Sequence, residues 1–293
     1  MQKITPKTKV YILIFLLAII AFFYFSKTPT QKITISDMDY SDFLFKDSER
    51  LGLSPILPEV GLQTGLEKYP QLTWKTEIVK EESDRASIDI EYPQFNGGEI
   101  VQKLNKHIFN ILNTIIEGDR GLLKKMLLTN PESFLSKIYL SSHYRVIGVS
   151  KGIVSLELVV TDFTGGGNGN HDTPYTINWD LKSDKLLTQD QIFCSEDYIS
   201  IIAPITRKQL IDRLPEDFAS SIFLPENRKI YNGIVKWIED GTEPEYTNFD
   251  NLLLYNGGVV VVFDPYQVHS GSSGIVRTFI PQSAIPGLMC LTF

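Results

Sequence analysis

The chain is poor in the residues that build covalent frameworks and metal centres. Its 293 residues hold two cysteines and four histidines. Two cysteines, Cys194 and Cys290, cannot form a disulfide scaffold or a zinc cluster. The histidines, at 107, 143, 171 and 269, are scattered. No His-x-x-x-His pair and no Thr-Phe-Asp-Asp-Gly stretch occurs, so the sequence carries no familiar metal or deacetylase signature. The one Gly-x-Ser-x-Gly match, Gly148–Gly152, falls on the tight turn Ser150-Lys151-Gly152 between two predicted strands, and that is not the strand–turn–helix setting of a serine nucleophile. The glycine-rich run at 165–169 has no Lys-Ser/Thr after it, so it is neither a P-loop nor a dinucleotide fingerprint. Nothing in the chain calls for a cofactor. Internal repeats and low-complexity tracts are missing too.

Basic charge is also short. The formal net charge is −7, with 28 Lys+Arg against 35 Asp+Glu. Four of the lysines (Lys3, Lys7, Lys9, Lys27) precede Thr28, where no acid occurs. The remainder carries 24 basic and 35 acidic residues, a balance of −11. Nucleic acid is therefore excluded as a partner, because neutralising phosphates needs a basic face. A cationic partner is permitted, since an acidic surface steers it in.

One long apolar run stands out. Val10 to Phe25 is uncharged, and as a helix it covers roughly 25 Å, close to the bilayer's hydrocarbon thickness. Tyr11, Tyr24 and Lys27 suit the two interfaces. The run ends in Phe22-Phe23-Tyr24-Phe25-Ser26, where a cleaved signal peptide would place small residues. The expectation is an uncleaved anchor with the lysines inside and the rest of the chain outside the cell membrane, with a cleaved signal peptide as the competing reading. In an exported domain Cys194 and Cys290 can pair. The apolar setting of Cys290, Gly287–Leu291, favours instead a buried free thiol.

Beyond the anchor, 28–70 is broken by Pro29, Pro55, Pro58 and Gly61 and reads as a spacer. Leu72–Val79 and Ala86–Tyr92 alternate apolar and polar residues, as half-buried strands do, and Pro93 ends the second. A helix is predicted from Gly98 to Glu117 on Val101, Leu104, Ile108, Ile111, Leu112 and Ile115. Strands follow at 144–149, 153–163 and 173–181, helices at 196–213 and 227–239, and strands at 252–255, 259–263 and 275–280. The order lacks regular β-α alternation. The predicted class is α+β, a mainly antiparallel sheet with packed helices, preceded by one transmembrane helix. The units are 1–27 (stub and anchor), 28–70 (spacer), 71–140 (strand–helix) and 141–293 (α+β).

Three blocks carry a family likeness: Ile88–Phe95 running into the long helix; Gly165–His171 followed by Ile177–Leu181 and Leu186–Phe193; and Val262–Val268 with the Gly/Ser loop and Val276–Pro281. In this order they resemble the paired domain of bacterial envelope proteins, of the DUF4163/DUF3298 type. That pair occurs in the exported part of the lysozyme-sensing anti-sigma-V factor and in the non-catalytic N-terminal part of peptidoglycan deacetylases. Such domains usually read Gly-Gly-Ala-His at the glycine loop; here Gly166-Gly167-Asn168 stands, with the histidine displaced to His171. The resemblance implies a non-catalytic binding or sensing module anchored at the cell envelope, whose partner is a cell-wall glycan or a cationic wall-active protein such as lysozyme. The candidate ligand-binding residues are Gly166, Gly167, Asn168, Asn170, His171 and Tyr266. The residues before Val10 are too few for a sigma-binding domain, so the anti-sigma role does not carry over. A turn-forming role for the glycines, a metal held by His143, His171 and His269 with Asp162 or Asp264, a cell-wall hydrolase or deacetylase with an unrecognised site, and a purely structural envelope protein stay open beside this reading.

Overall fold

The computed structural model describes residues 72–129, 137–150, 152–163, 171–214, 225–255 and 257–291. The expected anchor, the spacer and the glycine loop's Gly166, Gly167, Asn168 and Asn170 lie outside them. Among the described residues no helix is long and apolar enough to cross a membrane.

The first sheet runs in the order β1 (Thr73–Glu82), β2 (Ala86–Asn96), β3 (Ile138–Ser150), β4 (Ile153–Phe163), β5 (His171–Asp180) and β6 (Lys185–Leu186). Every neighbouring pair is antiparallel except β2 and β3. That one parallel pair needs a crossover. The connection contains helix α1 (Gln102–Thr129), entered through a 3-10 turn at Gly98–Val101. Its Leu104, Ile108, Leu112 and Ile116, spaced four apart, are buried with Val101 against Ile90, Leu140, Leu156, Leu158 and Ile177 of the sheet. His107, on the flank of this face, lies 5.6 Å from Trp179, ring centre to ring centre.

Pro93 does not end β2, which continues to Asn96. The reason lies on its outer edge. β3 pairs with β2 only from Ala86 to Ile90. Past that point side chains take over: Ser142 Oγ accepts from the Glu91 N–H (3.1 Å) and donates to the Glu91 carbonyl (2.9 Å). Asn105 does the same for Phe95, both at 2.9 Å. Pro93 sits between these two, in step with them, so its missing N–H falls on an edge with no strand partner, where proline is tolerated.

Among the described residues, three helices and a second sheet follow. α2 is Gln189–Ile192, α3 Tyr198–Asp212 and α4 Pro225–Gly241. A 3-10 turn at Tyr246–Phe249 leads into β7 (Leu252–Tyr255), β8 (Gly258–Phe263) and β9 (Val276–Pro281), ordered β7-β8-β9 and antiparallel throughout. Leu252-Leu253-Leu254-Tyr255 and Gly258–Phe263 are buried at every position. Continuous apolar strands of this kind belong to a sheet covered on both faces. Val259, Val261, Phe263, Leu252 and Leu254 point to a core shared with Ile202, Leu210 and Ile238 of α3 and α4. The alternate residues Leu253, Tyr255, Val260 and Val262 meet Ile147 and Val159 of the first sheet. The layers are therefore α1, first sheet, second sheet, then α3 and α4.

Two polar devices tie the sheets together. Asn178 on β5 donates to the Leu252 carbonyl (2.7 Å) and accepts from the Leu254 N–H (2.9 Å), while Ser155 donates to its Oδ1 (2.8 Å). Glu157 on β4, with a side chain 2% exposed, takes Arg145 from β3 (2.7 Å) and Arg277 from β9 (2.6 and 2.8 Å). Burial alone would raise the Glu157 carboxyl; the two guanidiniums outweigh it and hold the carboxyl below the usual glutamate range.

The chain also forms a disulfide, Cys194–Cys290. Both cysteines are exposed, so the buried free thiol expected at Cys290 is corrected. The apolar segment around it buries Leu288 and Met289 instead. A β-bridge between Phe193 and Met289, with Cys194 N–H donating to the Leu288 carbonyl (2.8 Å) and Cys290 N–H to the Ile192 carbonyl (2.9 Å), brings the two sulfurs together.

Glu157→Gln leaves two partly buried guanidiniums, Arg277 15% and Arg145 25% exposed, facing a neutral amide, and loss of one partner of a fully buried pair costs about 3–5 kcal/mol, the upper bound here. Urea unfolding at neutral pH is expected to show that loss. A depressed folded pKa adds stability above the unfolded glutamate pKa and loses it as the pH falls through the folded value. The gap between the native protein and Glu157→Gln is therefore expected to narrow on acidification.

Candidate functional site

β4 leaves the first sheet at Phe163 and β5 re-enters it at His171, with 164–170 joining them in sequence. The described side chains at this end are acidic. His171 is exposed, with Nδ1 3.7 Å from Asp162 Oδ1 and 3.3 Å from Thr173 Oγ1. Asp119, near the end of the α1 stretch packed on the sheet, faces the same place. Its carboxyl is raised above the ordinary aspartate range by burial first and by the charge of Asp162 second. Burial, followed by the charges of Asp162, Asp264 and Asp119, raises the Tyr175 hydroxyl. Asp264 closes the group from the end of β8; burial raises its carboxyl, His171 works against that, and Asp250 adds to it. Carboxylates from α1, β4 and β8 thus meet around one histidine and one tyrosine. Sequence gave no hint of Asp119, because helix periodicity records which face is buried and not which strand ends that face reaches.

Tyr266 stands in the turn that follows β8. Gln267 N–H donates to the Asp264 carbonyl (3.1 Å), with Pro265 second and Tyr266 third in the turn. Tyr266 takes φ 70, the left-handed value that glycine or asparagine normally supplies at that position. Three contacts hold it. Trp237 Nε1 of α4 donates to its carbonyl (2.6 Å). Its ring lies directly on Gly271, where an added Cβ would come within 2.1–2.5 Å of the ring atoms. Gln267, the next residue, binds the Gly241 and Asn248 carbonyls (3.3 and 2.9 Å) and accepts from Asp264 N–H (3.2 Å). Tyr266 as a whole stays 55% exposed. Since Asp264 feels the charge of His171, the start of β5 and this turn lie at the same end of the molecule.

The other histidines do not join them. His269 binds within its own loop, to Ser273 Oγ and to Ser270 Oγ (3.2 Å). Among the described residues no group of three or more His, Cys, Asp or Glu side chains is placed to hold a metal ion.

Comparisons with known proteins agree with the motif reading. Residues 185–283 match the family model DUF3298, a protein of unknown function, and residues 79–171 match that of the deacetylase PdaC. The anti-sigma-V factor RsiV of Bacillus subtilis (strain 168) is 26% identical over 216 residues, which cover 72% of this chain and 68% of its own length. A solved DUF3298 family member from Bacteroides fragilis superposes with a TM-score of 0.53 at 15% identity, over 75% of this chain and 94% of its own. A second, from Pseudomonas aeruginosa PAO1, gives 0.51 at 14%, over 74% and 94%. The structural likenesses show the fold. The sequence likenesses show that the paired-domain resemblance is real, with its first half running from β1 into β5 and its second from β6 past β9. They support an extracytoplasmic sensing or binding domain.

Gly271→Ala is expected to push the Tyr266 ring off its seat and cost about 1–3 kcal/mol, the range for overpacking a filled site. The same substitution in a Tyr266→Ala background should cost far less. A double-mutant cycle of thermal melts measures the coupling; additive losses would mean that the ring does not rest on Gly271.

Proposed function

We propose that the chain is a non-catalytic, membrane-anchored binding module of the cell envelope, and that the acidic end around His171 and Asp264, together with Tyr266 and the loop Gly166–Asn170, receives a cationic wall-active protein such as lysozyme. The observation that carries this reading is the gathering of Asp119, Asp162 and Asp264 at one end: burial raises the carboxyls of Asp119 and Asp264, with the charge of Asp162 adding to the first and that of Asp250 to the second, against the pull of His171 on Asp264. Like charges held together are relieved by a cation brought from outside. The chain's acidic balance favours the same partner, and the likeness to an anti-sigma factor favours a sensing role for an exported domain. Tyr266 adds a rigid, half-exposed aromatic ring of the type that anchors interfaces.

The test is binding of the full chain, solubilised in mild detergent, to immobilised lysozyme and to soluble peptidoglycan. Saturable lysozyme binding is expected. It should weaken as salt rises and fall by about tenfold or more in Asp162→Asn/Asp264→Asn, as for interfacial charge pairs. Binding to the glycan alone, or to neither, overturns the proposal. So does turnover of peptidoglycan fragments that His171→Ala or Asp264→Asn abolishes, which is the outcome a hydrolase or deacetylase would give.

A further inference from the structure

A cavity of about 850 Å³ opens between the margin of β5, the α2–α3 connection and the 3-10 turn before β7. None of the residues singled out as ligand-binding lines it. Its walls carry Asp190, Glu196 and Asp250, and no lysine, arginine or histidine. Among the described residues none of these three carboxylates has an ion-pair partner. That contrasts with Glu157, Asp89, Asp184, Asp212 and Asp240, all paired with a lysine or arginine.

The cavity also has an aromatic wall. Tyr246, 56% exposed, stands edge-on to Tyr198 at 6.0 Å, and the Tyr198 ring is stacked on Phe193 at 4.1 Å. Each ring is fixed by something else. The Tyr246 hydroxyl donates to the Glu196 carbonyl (3.1 Å), and Tyr198 binds Gln189, which in turn holds the Phe249 carbonyl (2.8 Å). Burial first, then Tyr246, Asp250 and Asp190, push the Tyr198 hydroxyl up, so it stays a neutral donor beside the carboxylates. The floor is fastened by the Cys194–Cys290 disulfide and the Phe193–Met289 bridge. One exposed ring, Tyr246, braced by the buried Tyr198 and Phe193 and set next to unpaired carboxylates in a cavity with room for an extended aliphatic stem, forms a receptor for an organic cation. Asp190, Glu196 and Asp250 are exposed at the cavity's rim, where they attract a cation through water and pair with it as it enters.

We infer that this cavity binds an aliphatic guanidinium or ammonium group, with Tyr246 supplying the ring face and Asp190, Glu196 and Asp250 the counter-charge. The inference concerns a site different from the acidic end proposed above and stands whether or not lysozyme binds. The cation can arrive as an arginine or lysine side chain of a polypeptide or as a free polyamine.

Isothermal titration of the detergent-solubilised full chain distinguishes them. The probes are acetyl-Gly-Arg-Gly-amide, its lysine and citrulline counterparts, and spermidine. Saturable binding of the arginine or lysine peptide, with none for citrulline, assigns a side-chain receptor. Saturable binding of spermidine alone assigns a polyamine receptor. In either case Asp190→Asn/Asp250→Asn should weaken binding about tenfold and Tyr246→Ala about fivefold, the scale of a desolvated cation–aromatic contact. Tyr246→Phe keeps the ring and should stay within about twofold, which guards against misreading a folding defect. The charge-matched control Asp84→Asn/Glu99→Gln, placed on exposed carboxylates that do not line the cavity, should do likewise. Equal binding of the citrulline peptide, no binding of any cation, or an equal loss in the control overturns the inference.

Discussion

Two sheets can pack face to face only if the polar groups trapped between them find partners there, because an unpaired buried polar group costs about 1–3 kcal/mol and a charged one more. This fold meets that requirement at two points. Asn178 serves both the N–H and C=O sides of β7 from a strand of the other sheet. Glu157 gathers one guanidinium from its own sheet and one from the facing sheet. A longer Thr176–Asn251 hydrogen bond (3.4 Å) also joins the two sheets; the cluster around Ile147, Val159, Leu253 and Val260 is apolar and non-directional and holds the sheets together without fixing their register. The two polar devices set how β7 and β9 lie on β3, β4 and β5, and the positions of the β8 turn and of the cavity beside β5 follow from that placement.

The turn after β8 repeats the arrangement on a smaller scale. Gln267 binds carbonyls from the end of α4 and from the 3-10 turn, and Trp237 reaches from α4 to Tyr266. Gly241, which ends α4, lies so close to this turn that an added Cβ would meet the Gln267 carbonyl oxygen at 2.0 Å. A tyrosine in a left-handed conformation persists because its neighbours determine it from three sides. The residues that marked the family in the sequence, Asn178 and the Asp-Pro-Tyr-Gln run, are thus largely joints of the scaffold. Their side chains spend their hydrogen bonds inside the protein, Tyr266 excepted.

Much of the fold was legible because its elements announce themselves locally. Alternation in Leu72–Val79 and Ala86–Tyr92, helical spacing from Val101 to Leu112, and tight turns between strands all depend on residues close in sequence. The doubly buried β7 and β8 were recognisable as strands from composition alone. What was not legible is non-local. The parallel β2–β3 pair depends on how a 28-residue helix returns the chain. The continuation of β2 through Pro93 depends on Asn105 and Ser142, which lie 10 and 51 residues away from the backbone they serve. The disulfide spans 96 residues and depends on a bridge that neither flanking sequence signals. At the candidate site His171 and Tyr266 could be named from motifs. Asp119 and the cavity lining could not, since they come together only once α1 and the α2–α3 connection have packed.

The edge of β5 shows how the fold limits the ways a partner can be met. β6 pairs with β5 only at Trp179 and Asp180, and the Leu187 N–H donates to the Asn178 carbonyl on that side. Backbone groups of a strand alternate in direction, so the residues in step with Asn178 (Thr176, Pro174 and Asp172) turn theirs toward the same unpaired edge. Proline at 174 removes a donor from its middle, a common way of blunting an exposed edge. A strand added there would find an interrupted ladder. Recognition along this margin therefore falls to side chains, and those present include carboxylates and tyrosines: Asp162, Tyr175 and Asp264 toward one end, Tyr246 and Asp190 toward the other, with Asp250 between them, near enough for its charge to act on Asp264. A margin that resists strand addition yet carries fixed rings and negative charge is suited to meeting basic groups one at a time, which is a different demand from extending a sheet and one that the rigid joints around Asn178 and Gln267 are placed to support.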